Sequence, residues 1–275
     1  MRITRFSSPD GVIRYGLDRG DGTADCLAKP LFDAEPQPTG QCIPISRRLA
    51  PVDPVNIYCI GLNYREHVKE SGAEIGPRPV VFMKPTSALN HPGEPIRLPA
   101  CQHQSEVDYE CELAVVIGRT ARGVNEASAL EYVLGFTAAN DVSARWWQKN
   151  GGGGQWIRGK GFDSFCPLGP VLVTTDEIPN PQVLTISTTL NDQLMQQSNT
   201  SDMIFSVAQL IAFLSQDTTL QPGTVILTGT PQGVGFARKP PIFLKDGDEV
   251  AIELENVGKL VNRVKGPEGD VRLAV

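Results

Sequence analysis

Two acids two residues apart, Glu110 and Glu112, open the apolar run VDYECELAVVIG. Read as a strand, the run places Val107, Tyr109, Cys111, Leu113, Val115 and Ile117 on one face. Asp108, Glu110, Glu112, Ala114 and Val116 share the other, with the Cα atoms of the two glutamates roughly 6–7 Å apart. Carboxylates that close repel each other unless a proton or a cation lies between them. An isolated pair of this kind is more often a solvated strand face, so a third acid matters. In VLGFTAANDVSARWWQ, Asp141 ends a run of apolar and small residues, where a strand delivers a side chain to a site. Three carboxylates with no histidine or thiol nearby suit a hard cation, magnesium or manganese before zinc. Such a site leaves positions open for water or a chelating substrate, as a Lewis acid requires.

A second pair could move protons. In CIGLNYREHVKESG, His67 and Glu70 are three residues apart and face the same side of a helical turn. A carboxylate that orients an imidazole makes a general base; the plainer reading is a surface pair. The chain has only three histidines, and this one follows an apolar strand-like run and a GLN turn. The segment SGAEIGPRP after it has little to hold it down and could serve as a lid.

Residues 151–161 read GGGGQWIRGKG, in which Gly154 to Lys160 spell most of a phosphate-binding loop. That loop needs a buried strand before it, a hydroxyl after the lysine, and a helix beginning there. Here SARWWQKN precedes it, Gly161 follows the lysine, and Pro167 and Pro170 interrupt what comes next. The nucleotide reading fails on each count, and Lys160 is better explained as a partner of the acids.

The elements that must position these residues are short. The 22 prolines and 27 glycines punctuate the 275-residue chain, and between them lie VNIYCIG, VVFMKP, YECELAVVIG, GPVLVTT, LTISTTLN, TVILTG and DEVAIELENVG. Such spacing predicts many strands. Helices are expected over residues 126–134 and 203–214, the latter capped by Ser201 or Asp202. Patterning is weakest up to about residue 55, so a small N-terminal module over 1–55 is expected, followed by a β-rich body over 56–275. A net charge of −6 and the absence of basic runs argue against nucleic acid or an anionic membrane as partner. No apolar run approaches membrane-spanning length, the first residues lack the order of a signal peptide, and the six cysteines form no C-x-x-C pair. A cytoplasmic protein with reduced thiols is the expectation.

Six blocks, GLNYREHVKE, VFMKPTSALN, VDYECELAVVIG, GFTAANDVSARWWQ, GKGFDSFCPLGP and LTGTPQGVGFARKPPIFLKDGDEV, resemble in order and spacing the fumarylacetoacetate hydrolase family. The resemblance spans about residues 56–265; the last block is most similar to the branch of fumarylacetoacetate hydrolase domain-containing protein 2 and its bacterial relatives, several of which act on diketo sugar acids or oxaloacetate. It implies an α+β, predominantly β fold with a mixed β-sandwich roll, usually a homodimer, and one magnesium or manganese ion per subunit. Carried over by position, Glu110, Glu112 and Asp141 match the metal ligands, and His67 and Glu70 the water-activating pair. Arg145 and Gln148 match side chains that face the substrate, Lys160 the lysine that contacts it, and Thr230 the threonine that meets its carboxylate. Two departures stand beside the pocket: Trp146, where relatives often have an acid, and the glycine run at 151–154.

The chemistry this implies is cleavage of a carbon–carbon bond in a 2,4-dioxo acid by water activated through His67 and Glu70. The alternative is oxaloacetate keto–enol tautomerisation or decarboxylation, or hydroxydienoate isomerisation, at the same site. A non-catalytic metabolite-binding protein that merely kept the fold should lack a ligand or one of the pair, and neither is missing.

Overall fold

The β-branched runs between prolines and glycines become strands in the computed structural model, which describes residues 1–33 and 35–267. VNIYCIG supplies Asn56–Gly61, VVFMKP supplies Val80–Lys84, TVILTG supplies Thr224–Leu227 and DEVAIELENVG supplies Glu249–Leu254. The body expected over 56–275 ends outside the described residues, which stop at 267.

A large sheet carries the site. Its neighbours run Arg2–Ser7, Cys166–Thr174, Val133–Asn140, Cys111–Ile117, Thr224–Leu227, Asn56–Gly61 and Val80–Lys84. All these pairings are antiparallel except that of Thr224–Leu227 with Asn56–Gly61. A five-stranded sheet, ordered Gln193–Asn199, Thr185–Leu190, Glu249–Leu254, Gly258–Lys265 and Ile96–Arg97, packs against the Cys111–Ile117, Val133–Asn140 and Cys166–Thr174 strands. The fold is mostly β with mixed sheets and few helices. Every residue of Cys111–Ile117 is buried. Its alternation therefore divides the second sheet from the site, not core from solvent.

Among the described residues up to Leu49 there are five more strands, and Arg2 and Ile3 pair with Val173 and Leu172, so these strands extend the large sheet. Sequence patterning misses them because the outer strand, Pro38–Pro44, is exposed at nearly every position, and an edge strand without a buried face shows no alternation.

Both expected helices need correction. Only Val207–Leu214 is α-helical in the second, and it starts at Ser206, not at Ser201 or Asp202, which lie in a separate 3₁₀ turn. Ser206 and Gln209 form a reciprocal capping box, satisfying two free donors at the helix start. The segment after Asn125 forms 3₁₀ turns over Glu126–Tyr132 and then yields to Val133–Asn140, whose first residue pairs with Ile117. Sheet pairing takes Val133 and Leu134 out of the helical pattern.

Candidate active site

Register explains how the three acids meet. Cys111 pairs with Asn140 and Glu112 with Ala139, so the hairpin sets Asp141 beside Glu110. The Asp141 amide donates to the Glu110 carbonyl at 2.9 Å, and the Asn140 side chain accepts from the Glu110 amide at 3.0 Å. One carboxylate oxygen from each of Glu110, Glu112 and Asp141 lies within 4.8 Å of the others. All three are buried, Glu110 most accessible at 5%. A solvated strand face is thereby excluded.

Buried acids need cations, and two lysines and an arginine converge on them. Lys160, at the end of the Ile157–Lys160 helical turn, donates to Glu110 Oε2 and Asp141 Oδ2, both at 2.7 Å. Lys84, at the end of its strand, donates to Asp141 Oδ1 and to the Val142 carbonyl at 3.1 Å. Arg145 Nη1 lies 2.7 Å from Glu110 Oε1, and Gln148 Oε1 accepts from the same nitrogen at 3.0 Å. Burial alone would raise the Glu110 carboxyl, but Lys160 and Arg145 overcome it and hold the group low. Burial disfavours the Lys160 ammonium, yet Asp141 and Glu110 hold it charged, with its pKa raised. Glu112 is different: its one hydrogen bond among the described residues comes from the Gly229 amide at 2.6 Å. Burial, then the charges of Asp141 and Glu110, push its carboxyl well above the usual range.

That donor set fits a divalent cation. Three clustered carboxylates with no thiol or imidazole among them favour a hard, oxygen-seeking ion.

Across the pocket, His67 and Glu70 lie on the Arg65–Ser71 helix with Nδ1 to Oε2 at 3.3 Å. Glu70 also accepts the Gly233 amide at 2.9 and 3.0 Å, which fixes the carboxylate from its far side. Gly72, with φ +66°, ends the helix; residues 73–79 beyond it form no helix or strand and are mostly exposed. Of the residues singled out in the sequence, His67, Glu110, Glu112, Arg145, Gln148, Lys160 and Thr230 line one pocket. Glu70 and Asp141 are not among its lining residues and touch ones that are. Thr230 Oγ1 accepts from Gln196 Nε2 at 2.9 Å, so its own proton is available to the pocket.

The glycine run has a structural purpose. A Cβ on Gly151 would lie 2.4 Å from the Trp146 ring and 2.5 Å from Trp147, and Gly153 and Gly154 have φ of +60° and +83°. The run folds the chain tightly beside the tryptophans so that the short helix can end, not begin, at Lys160. A phosphate loop requires the reverse.

Sequence reasoning missed Lys84 and Asp108. The VFMKP block contains the lysine, but nothing local marks it as a partner of an acid 57 residues away. Asp108 is wholly buried and accepts from Arg145 Nε and Nη2 at 2.9 and 2.7 Å. It shares a strand face with the two glutamates, but nothing in the local sequence marks it as the partner of Arg145.

Residues 56–265 match the family described as fumarylacetoacetate (FAA) hydrolase C-terminal, and residues 1–48 match one described as Rv2993c-like, N-terminal. The chain belongs to the fumarylacetoacetate hydrolase family. It is an enzyme of that family with a buried carboxylate cluster able to hold a metal ion. Among curated relatives, it is 49% identical to the bovine (Bos taurus) protein named oxaloacetate tautomerase FAHD2B, mitochondrial, over 93% of this chain and 80% of that one. Among solved structures, it is similar to 5-carboxymethyl-2-hydroxymuconate delta-isomerase from Mycobacterium smegmatis, with a TM-score of 0.84 and 41% identity over 97% of this chain and 100% of that one. It is also similar to 2-hydroxyhepta-2,4-diene-1,7-dioate isomerase from Mycobacterium marinum, with a TM-score of 0.84 and 40% identity over 98% and 100%. Among the described residues, no helix is long and apolar enough to cross a membrane.

Proposed function

We propose that this enzyme interconverts the keto and enol forms of a short 2-oxo dicarboxylic acid of the oxaloacetate class. The observation that carries the reading is the opposition, across one pocket, of an imidazole oriented by Glu70 and an ammonium held charged by two acids. The three relatives described above support it, because a tautomerase and two isomerases share one operation, moving a proton along a conjugated oxo or hydroxy acid.

Glu110, Glu112 and Asp141 would hold magnesium or manganese, which when bound supplies a Lewis acid for the substrate's carboxylate and 2-oxo oxygens. Thr230, Gln148 and Arg145 orient the substrate from the pocket walls. His67, its Nδ1 turned to Glu70, takes the proton from the carbon next to the oxo group. The C–H electron pair becomes the carbon–carbon double bond, and negative charge gathers on the 2-oxo oxygen. Lys160 stabilises that charge, and the imidazolium returns the proton to the oxygen. Nothing is oxidised and no group departs.

Hydrolysis of an acylpyruvate-like bond, the first expectation from the sequence, is the second reading. The complete His67–Glu70 pair favours it, since an imidazole facing an open pocket can take a proton from water as well as from carbon. One ultraviolet assay separates the two. With magnesium present, the enol band of oxaloacetate should relax faster than in buffer without release of pyruvate, EDTA should stop the acceleration, and His67→Ala should slow it about 10²–10⁴-fold. Pyruvate and an acid fragment from acetylpyruvate, with no effect on the oxaloacetate enol, would establish the hydrolase instead.

A further inference from the structure

The pocket holds a cation that the chemistry above does not use. Lys149 lines it beside Gln148, and its ammonium stands 3.9 Å from the centroid of the Phe236 ring. Among the described residues, Lys149 has no ion pair and no hydrogen bond to a carboxylate, although the lysine at the cluster's centre and the arginine beside it are each held by two acids. Arg145 stacks on the same ring at 4.5 Å, yet Asp108 and Glu110 already take up its charge. Lys149 and Arg145 share the Phe236 ring; burial, then the Arg145 charge, lower the Lys149 pKa, and Asp108 acts against them. Lys149 is an exposed residue, and its ammonium, set over an aromatic face without a carboxylate of its own, can receive an anionic group of a bound molecule.

We propose that Lys149 receives the distal carboxylate of the substrate and makes the pocket select dicarboxylic over monocarboxylic acids. The inference rests on the 2-oxo acid reading and adds a specificity residue to it. Phe236 faces the ammonium with its ring, while Arg145 on the same ring is paired with Asp108 and Glu110. The segment bearing Lys149 is the Trp147–Gly151 turn, in which Gly151 lets the chain lie against Trp146 and Trp147.

Malate and lactate test this without turnover, because they share a 2-hydroxy acid head and differ at the distal carboxylate. Calorimetric titration of the magnesium-loaded protein should show tighter binding of malate. Lys149→Met should weaken malate about tenfold, as expected for loss of one charge-assisted contact, and leave lactate as it was, which also shows that the variant is folded. Lys149→Arg should keep most of the preference. If the parent prefers malate and Lys149→Met preserves that preference, the assignment of Lys149 is overturned while the oxo acid reading stands. Equal loss of malate and lactate also overturns it, since Lys149 would then act on the shared head. If the parent binds neither acid, both the assignment and the oxo acid reading fall.

Discussion

Replacing Asp108 by Asn removes one charge and no volume, so it isolates what that carboxylate does. Asp108 is wholly buried, and its two oxygens accept five donors. Oδ1 takes the amides of Tyr109 at 2.9 Å and Gly235 at 2.8 Å; Oδ2 takes the Phe236 amide at 3.0 Å and Arg145 Nε and Nη2 at 2.9 and 2.7 Å. An asparagine must turn its NH₂ toward one of these groups, and both consist only of donors. If the amide faces Arg145, a buried guanidinium loses its closest counter-charge; if it faces Tyr109 and Gly235, two amides lose their acceptor. Breaking a buried ion pair from one side costs about 3–5 kcal/mol. At about 2–4 °C per kcal/mol for a chain of this size, Asp108→Asn should lower the melting temperature by about 10 °C. Arg145 retains Glu110 and Gln148 and would lean toward them, so the KM for the oxo acid should rise as well. Asp217→Asn is the control: its pairing with Arg122 at 3.6 Å is exposed on both sides and its loss should not shift the melt measurably. Scanning calorimetry and steady-state kinetics on the two variants give the answer. An Asp108→Asn protein that melts within 2 °C of the parent, with KM unchanged, would refute the claim that this carboxylate sets the Arg145 position.

Two further perturbations follow from packing and protonation. A Cβ at Gly61 would lie 2.4 Å from Trp156 Cζ3 and 2.9 Å from Cη2, in a ring already tilted on Phe82 at 5.3 Å. Gly61→Ala should therefore displace Trp156 into the pocket, cost about 1–3 kcal/mol as overpacking does, and raise KM; unchanged tryptophan fluorescence and KM would count against that geometry. His91 accepts the Ala50 amide on Nδ1 at 3.1 Å, and burial, followed by Arg47 and Arg5, lowers its pKa from the ordinary value of 6.5. The unfolded chain then binds the proton more readily, so stability from this group is complete above about pH 6.5 and is lost as pH falls through the folded pKa. Urea unfolding should show a steeper loss below pH 6.5 in the parent than in His91→Gln, and equal slopes would exclude His91 as the source.

What could be read from the sequence was what lies within a few residues or on one strand. Glu110 and Glu112 share a face by the period of two, and His67 and Glu70 share one by a helical turn. Asp141 is harder, because its place beside Glu110 depends on the hairpin register, yet the apolar run before it marks the end of a strand. Lys84 and Asp108 had no such mark. The first reaches the acids only because the large sheet carries its last strand, Val80–Lys84, back toward them; the second is stabilised by the loop at 235–236, more than 120 residues away. Gln196, which holds Thr230 and the Cys111 amide, comes from the second sheet and is equally silent in sequence. Local spacing identifies pairs; the partners that neutralise them arrive through topology.

Charge balance connects these partners to the choice of substrate. Four buried acids, Asp108, Glu110, Glu112 and Asp141, face three buried cations, Lys84, Lys160 and Arg145. Each of these cations is held by at least one acid, while the Glu112 carboxylate is met by a backbone amide. A divalent ion held by the three clustered carboxylates would bring positive charge to the site, and Lys149 adds one at the pocket lining. Together they would offer a dicarboxylate one positive centre beside the clustered acids and one over Phe236. A monocarboxylic acid would leave the Lys149 charge unanswered, which is why the preference for malate over lactate should depend on both the ion and that lysine, and should weaken when either is removed.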